Sequence, residues 1–413
     1  MTSLQFALRR TGPRAREVPW SVQLVWAALY FNVLTVAGNP TILPIPGPLG
    51  QLANQAALPL ALLLALAANR GGLVRPSLFL VLLTVLSVVS LMVSLHSEFP
   101  IGSTYRSLRL AGFVLVLWLT TRWWGRSDML LLRCHRRVLG VIVGSVVVGA
   151  LVAPGYAFGF DGRLAGAVWP IPPTQVAHYS AVLVGTSAVL WLCRVISSRN
   201  AAFGIVVPAV VMLLTHTRTA LLGLTIGLAI AAASLFLGHV RVRRTSALGA
   251  VAVVALTTVF ASQVKSWALR GESAEDAGQL TGRTKVWSDV FSHSRPPLED
   301  MFGTGLSNNT FRGLAIDSSW VANYVDQGWF GVLVDAALVL VLLLMAASHR
   351  RGPERAVALF LVVYCIVASI TETGLGTAST YTLDLAIAAS LLAAPGRDPM
   401  ASAEGGGARA ARA

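Results

Sequence analysis

One long polar segment, residues 262–327, interrupts a chain that is otherwise built of apolar runs, and it carries six basic side chains. They are Lys265, Arg270, Arg283, Lys285, Arg295 and Arg312. The planar guanidinium group of arginine matches phosphate oxygens through two parallel hydrogen bonds. Arg283 falls in the first turn of a predicted helix, where the helix N-terminus adds partial positive charge. Together they would anchor a diphosphate; a solvated arginine on a surface helix is the alternative that the pattern leaves open.

The helix that would position Arg283 is predicted from an apolar stripe. Its members recur at helical spacing and are Val286, Trp287, Val290 and Phe291. Gly282 precedes the stripe and a Pro-Pro pair follows it, so we expect the helix at about 283–293.

Four more arginines lie near the predicted outer face of the membrane that the chain crosses: Arg106, Arg109, Arg163 and Arg218. Arg218 sits in a tight turn, LLTHTRTALLGL, between two predicted spans. A charge at that position must snorkel, pair or bind a ligand. Arg106 and Arg109 share one helix face at the predicted start of a span, where contact with lipid phosphate is an equal alternative.

Asp317 is a candidate proton acceptor in the stretch IDSSWVANYVDQGWFGVL. The alternative is that Asp317 or Ser318 is the N-cap of a short helix that leads into the next span. Further candidate substrate-binding side chains in or near this outer region are His178, His216, Lys285, Arg312 and Tyr324. The histidines lack metal-ligand spacing, so we predict no metal site.

These side chains must be positioned by membrane-spanning helices. The chain has 413 residues, of which 55% are hydrophobic and 12% are charged, and apolar runs long enough to cross a bilayer recur along it. We predict an all-α polytopic membrane protein with about twelve spans. They are 20–37, 52–68, 77–95, 107–121, 138–154, 176–193, 201–214, 219–237, 246–261, 328–347, 355–371 and 379–394.

The distribution of Lys and Arg sets the expected orientation. With the N-terminus inside, 22 of the 32 basic residues fall in cytoplasmic segments, and the C-terminus is also inside. The predicted organisation is a basic cytoplasmic tail (1–19), spans one to nine (20–261), an extracytoplasmic loop with short helices (262–327), spans ten to twelve (328–394) and a disordered cytoplasmic tail (395–413). The net charge of +14 reflects this bias and attraction to anionic lipid, so we expect no nucleic acid partner.

Several motifs occur in an order that is typical of one family. They are WPIPPTQVAHYSAVLVGTSAVLWL, THTRTALLGLTIGLAIA, TGRTKVW, RPPLEDMFGTG, IDSSWV and DQGWFGVL. In this order the chain resembles the O-antigen ligase and O-antigen polymerase superfamily of bacterial membrane glycosyltransferases. The resemblance covers about 165–345 and is only hydropathic elsewhere.

The resemblance implies a metal-independent glycosyltransferase of the bacterial cytoplasmic membrane, with no cofactor and with its active site facing outside. The implied donor is a glycan on undecaprenyl diphosphate or a related polyprenyl diphosphate, and the acceptor is a glycan, a lipid or a protein. Matching positions assign Arg218, Arg283 and Asp317 to the catalytic site. The family's histidine position is Asp317 here, which favours a polysaccharide polymerase over a ligase and leaves the proton acceptor open.

Two hypotheses from other classes compete with the enzyme. A twelve-span transporter or lipid-linked sugar flippase has the same predicted topology, but the sequence shows no internal repeat and few charges within spans, Asp335, Glu372 and Asp384 being the candidates. A non-catalytic scaffold leaves the outer arginines unexplained. Envelope-assembly proteins are further candidate partners of the enzyme.

Overall fold

The computed structural model describes residues 19–36, 46–236, 283–307 and 309–395, with isolated positions at 41, 42, 44, 241–243, 245 and 262. Helices dominate these residues. They are α1 (Trp20–Val33), α2 (Gly47–Ala68), α3 (Leu78–Ser94), α4 (Pro100–Thr120), α5 (Leu130–Val152), α6 (Pro154–Ala157), α7 (Pro173–Leu192), α8 (Ser198–Leu214), α9 (Arg218–Leu235), α10 (Arg283–Ser292), α11 (Pro297–Phe302), α12 (Ser319–Ser348), α13 (Pro353–Ser369) and α14 (Thr380–Leu392).

Each predicted span except the ninth coincides with one of these helices; the ninth, 246–261, lies outside the described residues. Among the helices described, α2, α5, α7, α9 and α12 are long and apolar enough to cross a bilayer. The protein is therefore a mostly helical membrane protein. The number of crossings, the orientation and the outside position of the long loop stay predictions.

Several helices begin earlier than the hydropathy suggested. Helix α4 starts at Pro100, so Arg106 and Arg109 lie inside the helix and not at its start as predicted. Helix α5 starts at Leu130, which brings part of a predicted loop into the helix. A polar contact supports the added turns of α4, since the Thr104 hydroxyl donates to the carbonyl oxygen of Ser94 at 3.5 Å.

The middle of the protein is formed by α7 and α14, which are buried along most of their length. Helix α13 packs against both of them and against α9. The contact between α7 and α13 is close at Gly185, where an added Cβ atom would overlap the ring of Phe360. Small residues that allow close backbone approach are typical of helix packing within membranes.

The described part of the polar segment forms a second, smaller core on the start of α12. The predicted helix at 283–293 is confirmed as α10. Val290 is fully buried in this core, Val286 and Trp287 pack against it, and Phe291 stacks on Tyr324 with ring centroids 5.2 Å apart. The apolar stripe thus docks α10 onto α12.

A two-stranded antiparallel hairpin, which the all-α prediction did not include, follows α11. Its strands are β1 (Thr310–Phe311) and β2 (Leu314–Ala315). Arg312 and Gly313 connect them with φ of 50° and 80°, as a tight two-residue hairpin turn requires.

Two glycines bring the FGTG turn against a kink in α12. Gly328 has φ 64° within α12, and Gly303 has φ 78° in the turn. A Cβ atom on Gly303 would overlap the backbone of Asp326, and one on Gly328 would overlap the backbone of Met301. Neither position accepts a side chain, because both the conformation and the space require glycine.

Candidate active site

A polar cavity of about 620 Å³ opens where the ends of α1, α2, α4 and α7 meet the loops around 307 and 372–379. Its ionisable lining includes both acidic and basic groups. They are Tyr105, Arg106, Arg109, His178, Asp326, Glu372 and Tyr381. Three of the predicted substrate-binding residues, Arg106, Arg109 and His178, therefore share one cavity.

Arg109 is fixed at the wall of this polar cavity. Its Nη2 donates to the carbonyl oxygen of Asn32 at 2.6 Å, and its Nε donates to the Asn32 side-chain oxygen at 3.2 Å. Arg106 lies almost one helical turn earlier on α4 and lines the same space. The two guanidinium groups give this side of the cavity its positive charge.

A larger cavity of about 1410 Å³ lies between the α3–α4 hairpin and residues 293–312. More of its wall is apolar than polar, with Met92, Phe99, Ile101 and Phe302 among the apolar members, and charged side chains such as Glu98 and Glu299 also line it. Arg106 and Ser307 line both this apolar cavity and the polar cavity, so the two spaces adjoin at those residues.

Two of the loop arginines also reach the apolar cavity. Arg312, predicted to bind substrate, stays 59% exposed and forms a 3.5 Å ion pair with Asp289. Arg295 lies over the ring of Tyr324, with its Cζ 4.8 Å from the ring centroid. Tyr324 is buried and lines neither cavity, and Lys285 is exposed on α10, so the structure does not bring these two predicted residues to the cavities.

Arg283 and Asp317 form an ion pair between the start of α10 and the residue before the cap of α12. The Arg283 Nε lies 3.2 Å from the Asp317 Oδ2. The N-cap position of α12 is held by Ser318, whose side chain makes no capping hydrogen bond. The N-cap interpretation is therefore wrong for Asp317, whose side chain pairs with arginine.

Arg163 supports the turn that leads into α9. Its Nε donates to the carbonyl oxygen of Thr215 at 2.9 Å, and its Nη2 donates to the Thr217 hydroxyl at 3.2 Å. His216 occupies this turn with φ 51°, and Arg218 is the first residue of α9. The predicted residues Arg163, His216 and Arg218 therefore belong to one corner of the molecule.

Glu372, in the loop after α13, connects that corner to the polar cavity. Its carbonyl oxygen accepts hydrogen bonds from the Ser319 N–H at 3.0 Å and from the Ser319 hydroxyl at 2.8 Å. Its neighbour Thr371 contacts Thr219 of α9, with the two hydroxyl oxygens 2.7 Å apart. The loop is thereby tied to the starts of both α9 and α12.

Glu372 lines the polar cavity, and its carboxyl interacts electrostatically with Arg163 and Arg283. Burial raises its pKa to about 7; Arg283 and Arg163 lower this pKa, and Asp317 raises it. From the sequence, Glu372 is expected only as a charge within a span. Its role in this corner depends on contacts with residues far along the chain, which no local spacing reveals.

A buried cluster lies beneath the polar cavity. The Asp384 carboxylate contacts Nε2 of His135 at 3.2 Å and Nε2 of His178 at 3.0 Å, and all three side chains are almost fully buried. The Tyr30 hydroxyl lies 3.0 Å from Nδ1 of His135. His178 therefore lines the cavity with its ring, while one nitrogen faces the carboxylate.

The described residues around these sites form no metal centre. In the ranges that the structure describes, no group of three or more His, Cys, Asp or Glu side chains is arranged to hold a metal ion. Compared with known proteins, the chain matches no family model and no curated protein sequence. The resemblance to the O-antigen ligase and polymerase superfamily therefore rests on its motifs alone.

Proposed function

We propose that the protein is an integral-membrane glycosyltransferase that uses a glycan on a polyprenyl diphosphate as donor, at the outer face of the bacterial cytoplasmic membrane. The observation that carries the proposal is the pair of adjoining cavities, one polar and one largely apolar, that meet at Arg106. Such a pair suits an amphiphile with an anionic junction between a polar head and a hydrocarbon tail. A polyprenyl-diphosphate-linked glycan has that chemistry.

The arginines suit the proposed reaction. When the glycosidic bond breaks, negative charge develops on the leaving diphosphate, and preorganised guanidinium groups stabilise it without a metal. Arg106 stands at the junction of the cavities, and Arg283 acts on the Glu372 carboxyl through its charge. A joint grip of Arg218 and Arg283 on one diphosphate stays a prediction, because neither side chain lines either cavity.

The proposed architecture has twelve spans, cytoplasmic termini and an outside segment at 262–327. Single cysteines at Ser292, on α10, and at Arg350, in the α12–α13 loop, test it in a variant whose three native cysteines are replaced. An impermeant thiol reagent should label position 292 and leave position 350 unlabelled in intact cells. The opposite pattern would reverse the orientation.

The donor-binding step is tested with the purified protein in nanodiscs and undecaprenyl diphosphate as the probe. Losing a charge-assisted contact to phosphate costs about 1.5–3 kcal/mol, or roughly 10- to 150-fold in affinity. We expect that loss for Arg106→Ala. Arg350→Ala, which removes an exposed arginine away from the cavities, is the matched control. Equal affinities for the two variants would contradict the assignment.

The acceptor separates a polymerase, which we favour, from a ligase that attaches the glycan to a lipid or protein. A deletion strain that keeps short surface glycans and loses long ones supports the polymerase. Long chains that accumulate without being attached support the ligase.

The Asp384 cluster favours a second candidate from another class, a transporter or lipid-linked sugar flippase. Buried ionisable groups within spans are typical of carriers that couple transport to protons. Asp384 is flanked by two histidines beneath the polar cavity, which gives the carrier an observation that the sequence lacked. Glycan transport into proteoliposomes that responds to a pH gradient in the wild type would favour the carrier.

A further inference from the structure

Three carboxyl groups lie at or near the polar cavity, and they differ in what already occupies them. Asp317 is paired with Arg283. Asp326 is 2% exposed, and its Oδ2 accepts the Ser307 N–H at 3.0 Å, which holds the FGTG turn in place. Glu372 lines the cavity and is held there through its main chain by Ser319.

The hydrogen bonds that hold Glu372 involve its main chain. They fix the position of its Cα atom and do not use its carboxyl group. The two hydrogen bonds from Ser319 and the contact between Thr371 and Thr219 restrain the loop on both sides. A proton acceptor needs such a fixed origin, because proton transfer requires hydrogen-bond reach to the reacting hydroxyl. Among the cavity's other ionisable groups, the nitrogens of His178 are fully buried beside Asp384.

We propose that Glu372 is the proton acceptor of the reaction, and that Asp317 positions Arg283. This inference rests on the proposed glycosyl transfer. The oxygen of the acceptor hydroxyl attacks the anomeric carbon of the donor sugar as the bond from that carbon to the diphosphate breaks. The bonding electron pair leaves with the diphosphate, and the hydroxyl proton passes to the Glu372 carboxylate, which later releases it to water. Nothing is oxidised or reduced.

The electrostatic surroundings agree with this role. Burial raises the pKa of Glu372 to about 7. The positive charges of Arg283 and Arg163 lower this pKa, whereas the negative charge of Asp317 raises it. A base whose pKa lies near the working pH combines a useful charged fraction with a useful proton affinity. The other ionisable side chains that face the same cavity are Tyr105, Arg106, Arg109, His178, Asp326 and Tyr381.

The test compares Glu372→Gln with Asp317→Asn in nanodiscs, using a synthetic polyprenyl-diphosphate oligosaccharide as donor. Removing a general base typically lowers turnover by about 10²- to 10⁴-fold. We expect that loss in kcat for Glu372→Gln, with undecaprenyl diphosphate affinity changed by less than about threefold. Asp317→Asn should instead weaken that affinity through Arg283 and keep most of the turnover at saturating donor. Glu354→Gln, at the opposite end of α13, is the matched control.

The pH dependence of the wild type gives a readout that needs no variant. Because the carboxylate is the active form, kcat should fall as the pH drops below about 7. A kcat profile without this acidic limb overturns the inference even where Glu372→Gln fails to fold. Full turnover in a folded Glu372→Gln protein overturns it too and leaves the glycosyl transfer standing. A wild type that binds no undecaprenyl diphosphate and transfers no glycan rejects the proposed function itself.

Discussion

Replacing Asp384 by asparagine should destabilise the protein far more than replacing a carboxylate whose partners are exposed. Asp384 is fully buried and contacts two imidazole rings, at 3.2 Å and 3.0 Å. A buried carboxylate is stable only when charge-assisted contacts replace its lost hydration. The asparagine side chain keeps the shape but removes the negative charge, so both contacts to the imidazole nitrogens become weaker.

The magnitude follows from burial. Losing a hydrogen bond to a charged group costs about 1.5–3 kcal/mol within a protein. Both contacts of Asp384 depend on the same charge, so their losses do not simply add. We therefore expect Asp384→Asn to lower the free energy of unfolding by about 1.5–3 kcal/mol.

Asp128 supplies a matched control, because it also pairs with two basic side chains. It contacts Arg126 at 3.1 Å and Arg133 at 2.6 Å, but these side chains are 23–34% exposed. Exposed pairs contribute about 0–1 kcal/mol each, so Asp128→Asn should cost far less than Asp384→Asn.

Reversible unfolding of both variants in mixed detergent micelles, monitored by circular dichroism, measures the difference. Equal losses below about 1 kcal/mol for the two variants would refute the reasoning. That outcome would mean that the contacts of Asp384 with the two histidines contribute no net stability to the folded protein.

Three further predictions concern the outer region. The Gly303→Ala variant should unfold at a clearly lower temperature than the Gly313→Ala variant. Both glycines have positive φ, but only Gly303 lies against backbone atoms. Equal unfolding temperatures would contradict the close contact between the FGTG turn and the kink in α12. The folded protein binds a proton at Glu372 more tightly than the unfolded chain does, because the folded-state pKa is raised from 4.5 to about 7. The stability that this group contributes should therefore be present below about pH 4.5 and be lost as the pH rises to about 7. Between pH 5 and pH 8 the unfolding temperature should fall less for Glu372→Gln than for the wild type. Arg283→Ala should lower the affinity for undecaprenyl diphosphate by roughly 10- to 150-fold. Arg283→Lys should recover only part of that affinity, because lysine cannot form two parallel hydrogen bonds to a phosphate. An Arg283→Lys variant with wild-type affinity would exclude a bidentate contact.

The helices were predictable from sequence because apolar runs and a helical stripe report burial directly. Helix α10 shows this best: its stripe predicted both the helix and the face that packs on α12. The start of α4 was not predictable, because its first turns are polar and contact another helix, as between the Thr104 hydroxyl and the carbonyl oxygen of Ser94. The hairpin strands have two residues each, too few for a periodic pattern.

The candidate site was predictable only where a residue type was anomalous for its place. Arg106, Arg109 and Arg163 stood out because basic side chains are rare at the outer surface, and the structure places the first two in one cavity and the third beside Glu372. Glu372 and Asp384 have partners far away in the chain. Such pairing depends on how the helices pack, so no motif indicates it.

The FGTG turn is fastened at four places within four residues. The backbone N–H groups of Thr304, Gly305, Leu306 and Ser307 donate to α12 and to Ser94, at 3.0–3.3 Å. A hinged cover would have to break all four bonds, so exchange by lifting this turn is disfavoured. The rim of the apolar cavity, by contrast, carries Phe99 and Ile101, which are 76% and 88% exposed. Under the proposed function, a lipid-anchored donor would therefore enter laterally from the bilayer through this opening, and its rate of exchange would depend on the fluidity of the bilayer.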